Sequence, residues 1–183
     1  MLENLAILSG VTYLILIIKG IRYGWIFGII SAIIYAYLSF KTNLFLQGVL
    51  QIIYVFLGAW GFIHWAKEDR LVVRCLSFKQ NMGVLFLGLF LSGTAYYLIS
   101  FTDQESAVLD SLVTVFSIIA TCLTAQKLIE NWFYWWVINV LAMALYFGQG
   151  MENSAFLYLS YLLLSFYGYR EWRVRLKQEN DHA

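Results

Sequence analysis

Sliding this 183-residue chain over itself by 107 positions lays its first three apolar segments on its last three without a gap. In that frame Trp25 falls on Trp132, Gly61 on Gly168 and Trp65 on Trp172; Phe40 meets Phe147, Tyr54 meets Tyr161 and Glu3 meets Asp110. Leucine coincidences mean little in so apolar a chain, but Trp and Gly are rare enough that several pairs in one ungapped register indicate duplication. A repeated unit has to bury the same face twice, and weak internal symmetry of this kind marks secondary transporters.

The solvent for such a chain is a bilayer. It is 61% hydrophobic and 13% charged, with mean hydropathy +0.71, whereas soluble domains carry about 25% charged residues. Crossing about 30 Å of hydrocarbon takes roughly 20 helical residues. Seven spans are expected, near 5–18, 24–40, 45–65, 83–101, 109–128, 132–147 and 155–169. The runs are continuously apolar rather than alternating, which selects helices over a barrel. No positive region precedes the first run and no small-residue cleavage site follows it, so it is expected to remain a span rather than a signal peptide. Cys75 falls in a polar loop and Cys122 inside the fifth span; neither a disulfide framework nor a metal or cofactor site is expected. The net charge of +1 gives no reason to expect nucleic acid.

Charge placement orients the chain. Lys19, Arg22, Lys67, Arg70, Arg74, Lys79, Lys127, Arg170, Arg173, Arg175 and Lys177 share one side, and Lys41 stands alone on the other. By the positive-inside rule the N-terminus faces out and the C-terminus the cytoplasm, as an odd number of crossings requires. A three-helix unit ends opposite its start, so two units joined directly would be inverted; one extra crossing restores their orientation. The expected fold is therefore all-α, with seven transmembrane helices in a 3+1+3 parallel internal repeat about an axis along the membrane normal. It divides into a first bundle over 1–65, a cytoplasmic loop and linker helix over 66–106, a second bundle over 107–172 and a cytoplasmic tail over 173–183. The loop 66–82, with Lys67, Glu68, Asp69, Arg70, Arg74 and Lys79, reads as an ordinary solvated connection.

In so apolar a bundle the polar residues at depth are the informative ones, since amides there pair or line a cavity. Gln47 and Gln51 lie one turn apart on the third span, and Asn139 half-way along the sixth. At 1.5 Å per residue, Gln51 is roughly 10 Å below the outer surface and Asn139 about 12 Å above the inner one, so they are expected to meet near the midplane. Trp132, Trp135 and Asn139, at i, i+3 and i+7, share one helix face. Two indoles beside a carboxamide form a slot for a flat ring bearing an amide or amino group, and their faces attract a cationic ring without a buried carboxylate. An interfacial aromatic belt accounts for Trp132 taken alone.

These residues resemble a known family. The W-x-x-W-x-x-x-N string of Trp132, Trp135 and Asn139 is supported by Leu50-Gln51, by Gly58-Ala59-Trp60-Gly61-Phe62-Ile63-His64-Trp65 and by Tyr167-Gly168-Tyr169-Arg170-Glu171-Trp172. Together they resemble the Pnu family of bacterial vitamin transporters, relatives of the SWEET sugar carriers, over essentially the whole chain. The resemblance implies a multi-pass carrier in the bacterial inner membrane that moves an unphosphorylated vitamin precursor by facilitated diffusion, trapped by a cytosolic kinase, and suggests a homotrimer. Nicotinamide riboside is the substrate the motif favours; thiamine is the alternative, with riboflavin or a deoxynucleoside behind it. By motif position Trp132, Trp135 and Asn139 face the ligand, with Gln51 and Tyr54 opposite and Gln47 beside them; Tyr158 and Tyr161, repeat partners of Gln51 and Tyr54, complete the wall. The counterparts of Asn139 and Trp135 in the first half are Ala32 and Gly28, so one half is expected to offer rings and the other room. Trp25 and Trp172 are expected to be interfacial anchors. The chain has no proline, so the Pro-Gln motif of SWEET relatives is absent and bending is expected at Gly28, Gly58, Gly61 and Gly168.

Ion coupling and other classes find less support. Glu3 and Asp110 sit in first helical turns, where acids favourably face the helix dipole, and no buried carboxylate is expected. The stripe Thr114, Ser117, Thr121, Thr124 reads as helix packing. An enzyme would need a nucleophile and base or a metal cluster within the membrane, and neither is present in the sequence; a scaffold or channel is the remaining rival. In a Cys75→Ser, Cys122→Ala background, Asn153→Cys should react with impermeant maleimide on intact cells and Lys177→Cys only after lysis. The opposite pattern would overturn the orientation.

Overall fold

The computed structural model describes residues 2–41, 45–67, 71–101, 107–148 and 152–180; Glu68, Asp69 and Arg70 of the loop lie outside them. The regular elements of the described chain are α1 (Leu2–Ile18), α2 (Gly24–Lys41), α3 (Phe45–Trp65), α4 (Phe78–Ile99), α5 (Ala107–Ala125), α6 (Asn131–Gly148) and α7 (Glu152–Asn180). Windows of α2, α3, α4 and α5 are long and apolar enough to cross a membrane, and α1 is a shorter apolar helix.

Several helix ends differ from the hydropathy reading. Helix α4 starts five residues before 83, because Ser77 and Gln80 form a capping box: Gln80 N–H donates to Ser77 Oγ and Ser77 N–H to Gln80 Oε1, which satisfies two orphan donors at once. Helix α5 stops at Ala125 rather than 128, since Lys127 takes the left-handed conformation at φ 60°. Helix α7 runs to Asn180, well past the expected end of the span at 169.

The chain divides into two compact units. The first comprises Met1–Val73, Thr124–Lys127 and Glu171–Ala183. Its centre is Trp25, 1% exposed, with Tyr13 at 5.5 Å and Trp65 at 5.7 Å, both edge-on. The indole fits only because α3 carries Gly61 beneath it, where a Cβ would come within 2.5 Å of the ring. Ser31 Oγ donates to Ala6 O at 2.9 Å and ties α2 to α1. The second unit comprises Arg74–Leu123 and Leu128–Arg170. There Trp132, also 1% exposed, covers Gly168 of α7 as Trp25 covers Gly61. Gly88 of α4 likewise admits Phe116, and Ser117 and Thr121 are buried, with Thr121 Oγ1 donating to Ser117 O at 2.8 Å.

The turn that follows the first helix is duplicated bond for bond. Gly20 N–H donates to Ile17 O and Ile21 N–H to Leu16 O; 107 residues on, Lys127 donates to Thr124 O and Leu128 to Leu123 O. Each pair is a Schellman end with a left-handed residue after the helix, Gly20 at φ 74° and Lys127 at φ 60°. The next three bonds, Gly24 to Ile21, Trp25 to Arg22 and Ile26 to Tyr23, recur as Asn131 to Leu128, Trp132 to Ile129 and Phe133 to Glu130.

Within the first unit two more indoles close those helix ends. Trp65 Nε1 donates to Ala125 O at 2.9 Å and Trp172 Nε1 to Ile17 O at 3.4 Å, with the two rings 6.2 Å apart. The interfacial role expected for Trp25 and Trp172 is therefore corrected: Trp172 is 0% exposed and both are packing residues. The glycines expected to bend helices are instead the seats of side chains, Tyr13 on Gly28, Ile29 on Gly58, Trp25 on Gly61 and Trp132 on Gly168. Gly61→Ala and Gly168→Ala should each destabilise the detergent-purified protein by about 1–3 kcal/mol through overpacking. Thermal unfolding followed by size-exclusion checks this, with Gly83→Ala, whose Cβ meets nothing within 4 Å, as the control that shows only the helix-propensity gain of about 0.5–1 kcal/mol.

Candidate ligand-binding site

Helix α6 begins directly after the α5–α6 turn, where Asn131 Nδ2 donates to Leu128 O at 2.6 Å. Its first two turns carry five aromatic residues, and four of their rings are engaged by the protein itself. Trp132 fills the notch over Gly168. Phe133 meets Trp136 and Tyr169, each at 5.0 Å. Tyr134 stacks on Phe116 at 6.0 Å and donates its hydroxyl to Asn81 Oδ1 at 2.9 Å. Trp136 stacks on Phe166 at 4.5 Å. Trp135 is the exception: half-buried, it meets no other ring among the described residues. One turn further on, Asn139 is 3% exposed, and its carboxamide has no hydrogen bond among the described residues. The Trp135 indole and the Asn139 carboxamide thus lie one turn apart on one face of α6.

The remaining predicted residues fall into two groups. Gln47, Gln51 and Tyr54 of α3 are half-buried in the first unit. Tyr158 and Tyr161 of α7, in the second, pack edge to face at 6.0 Å. The room expected at Gly28 is already filled, since a Cβ there would meet the Tyr13 ring at 2.9 Å. Symmetry is thus broken by an internal plug: the first half supplies its own aromatic ring at the position corresponding to Trp135. The repeat frame could not foretell this, because Tyr13 aligns with Ala120.

Two features at the start of α6 escaped the sequence reading. Glu130 is 8% exposed, which corrects the expectation that no carboxylate is buried. The loop before α4 is not simply solvated: Leu71 and Val73 are buried, Ile129 N–H donates to Arg74 O at 2.9 Å, and Leu76 N–H donates to Glu130 Oε1 at 2.9 Å. Residues 74–77 form a strap over the α5–α6 turn. The α6–α7 cavity of about 550 Å³, lined by Val140, Met143, Ala144, Phe147, Gly148, Ala155, Phe156 and Leu159, has no hydrogen-bonding side chain and contains none of the predicted residues.

With this geometry in place, comparison with known proteins identifies the lineage. The sequence model of the family described as nicotinamide mononucleotide transporter matches residues 1–174. The chain belongs to that family. It is 27% identical to the nicotinamide riboside transporter PnuC of Neisseria mucosa over 98% of this chain and 74% of that protein. It is also 27% identical to the PnuC of Haemophilus influenzae over 94% of this chain and 79% of that one. A riboflavin/roseoflavin transporter, RibM of Streptomyces davaonensis, is 30% identical over 65% of this chain and 51% of its own length. Among solved structures, the crystal structure of the vitamin B3 transporter PnuC superposes with TM-score 0.81 and 26% identity, over 97% of this chain and 82% of that one.

Packing and binding roles separate experimentally. Trp132→Ala should cost about 3–5 kcal/mol of stability by leaving a cavity over Gly168. Trp135→Ala should cost about 1 kcal/mol or less, in the range of sites that make no such contact. Thermal unfolding of the two variants checks the ranking.

Proposed function

We propose that the protein is a carrier, not an enzyme, for nicotinamide riboside. Trp135 is assigned to stack on the pyridinium ring and Asn139 to pair with its carboxamide, while Trp132, seated on Gly168, holds the face in place. Gln51 and Tyr54, with Gln47, Tyr158 and Tyr161, are assigned to the ribose and the rest of the ligand. The single observation that carries this reading is the disengaged Trp135 ring one turn from the unpartnered Asn139 amide, in a chain of this family.

The family is named for the mononucleotide, but the unphosphorylated riboside suits these residues better. A phosphate dianion at membrane depth needs a cation, and helix α6 contains no Lys or Arg. We assign seven spans in a 3+1+3 repeat in the bacterial cytoplasmic membrane, with the N-terminus outside and the C-terminus inside. Helix α4 serves as the connector, and the protein assembles as a homotrimer. Transport is facilitated diffusion, made one-way by a cytosolic kinase. The match to RibM favours a flavin as the second reading.

The test is one set of measurements on purified protein. In liposomes the parent should equilibrate labelled nicotinamide riboside without a pH or sodium gradient; gradient-driven accumulation with no kinase present would sink the uniport mechanism. In calorimetric titration, Trp135→Ala should lose stacking and cation–π attraction, about 2–3 kcal/mol or some 30- to 150-fold in affinity. Asn139→Leu should lose about 1–3 kcal/mol, because the ligand amide is left unsatisfied. Monodisperse variants that bind like the parent would remove α6 as the binding wall, and tighter binding of riboflavin or thiamine would reassign the substrate.

A further inference from the structure

The carboxylate of Glu130 enters the membrane protein's interior with only one of its oxygens satisfied. Oε1 accepts from Leu76 N–H at 2.9 Å; Oε2 is buried and has no hydrogen-bond partner among the described residues, and the same holds for Oδ1 of the adjoining Asn131. No ion pair neutralises Glu130 among the described residues. Lys127, three residues earlier, places its ammonium over the Trp65 ring at 5.8 Å. Fastening the strap would not require this charge, because a glutamine oxygen also accepts from a backbone N–H, though less strongly. A buried, unpaired ion is expensive compared with that neutral substitute.

The duplicated turn sharpens the contrast. In the repeat frame Glu130 corresponds to Tyr23, whose ring lies 5.2 Å from the Arg22 guanidinium, itself 5.4 Å from Phe62. The turn that leads into α2 thus carries only cations, Lys19 and Arg22, whereas the turn that leads into α6 adds the Glu130 carboxylate to the Lys127 ammonium. Only α6 presents an open indole and amide.

We propose that Glu130 is a specificity-determining residue that favours cationic over neutral ring ligands through its field along α6, without touching them. This rests on the assignment of Trp135 and Asn139 to the ligand. With 1.5 Å of rise per residue, Glu130 lies about 7 Å from Trp135 and about 13 Å from Asn139 along the helix axis. At such distances in an apolar bundle, a unit charge changes the affinity of a cation by about 5- to 20-fold and leaves a neutral ligand unaffected. Glu130 also faces the N-terminal dipole of α6, but that effect stabilises the helix and cannot tell two ligands apart.

The experiment titrates two flat carboxamide ligands that differ in charge: nicotinamide riboside, and its dihydro form, in which the ring is neutral. Glu130→Gln keeps the acceptor for Leu76 N–H and removes the charge. It should weaken nicotinamide riboside by about 5- to 20-fold while the dihydro form binds as it does to the parent. Glu130→Asp keeps the charge on a shorter arm and should retain most of the parent's ratio between the two ligands; it decides the matter if the glutamine variant is not monodisperse. Equal losses for both ligands, no loss for either, or a ratio that collapses in Glu130→Asp would overturn the proposal. A parent that binds neither ligand would instead refute the functional reading on which it rests.

Discussion

A helix that ends inside an apolar protein leaves carbonyls without donors, and an indole in the same surroundings is a donor that needs an acceptor. At the end of α5 the Trp65 indole and Ala125 O solve each other's problem, and at the end of α1 the Trp172 indole adds a second donor to Ile17 O, which already accepts from Gly20 N–H. Trp172 of α7 donates to Ile17 at the end of α1, and Trp65, the last residue of α3, donates to Ala125 at the end of α5. The exchange works only if both first helices stop abruptly and turn, and hence the same Schellman end occurs twice. Gly20 takes the left-handed conformation without strain, and Lys127 does so as a non-glycine residue, which costs of order 1 kcal/mol. Its ammonium over Trp65 offsets part of that cost. The next bonds set the starts of α2 and α6, and through them the depth of Trp25 and Trp132 on their glycines.

Once both second helices are set in the same way, the two halves diverge above the shared Trp–Gly contact. On α2 the next turn presents Gly28, and Tyr13 of α1 fills the place. On α6 the same turn presents Trp135, which no ring of the described chain covers. At corresponding positions one face is filled from within by Tyr13, and under the proposed reading the other takes the ligand. The buried amide has the same history, since Asn139 corresponds to Ala32, a residue that asks for no partner.

The shared Trp–Gly spacing was legible because Trp and Gly are rare and because each pair serves one contact: Trp25 with Gly61 and Trp132 with Gly168 are separated by the same interval. What the indoles do was not legible. Hydropathy cannot distinguish a Trp at the interface from a Trp buried on a glycine, and so Trp25 and Trp172 were misplaced although their partners stood in the sequence. The start of α4 was written in Ser77-Phe78-Lys79-Gln80, a capping signature that a scan for apolar runs passes over. The end of α5 was not written anywhere local, because Lys has no preference for the left-handed region and is held there by tertiary contacts. For the candidate site, spacing singled out Trp132, Trp135 and Asn139 together, but only packing shows that Trp132, Phe133, Tyr134 and Trp136 are engaged elsewhere. Glu130 was invisible as a buried group, because its burial comes from a strap more than fifty residues earlier in the chain.

A carrier has to bind its cargo weakly enough to release it. A carboxylate in contact with a cationic ring would neutralise it, but parting them would leave two bare charges in an apolar site, and that barrier would slow exit. Under the proposed reading α6 avoids the contact. An indole face and a neutral amide take the ring, and Glu130 acts from a distance at which the Coulomb energy varies slowly with position. The attraction then changes little over the first ångströms of departure, whereas stacking and hydrogen bonding, which are short-ranged, are lost at once. Charge preference and rapid release are compatible because they come from different residues, and the strap that buries Glu130 keeps its field unscreened by water.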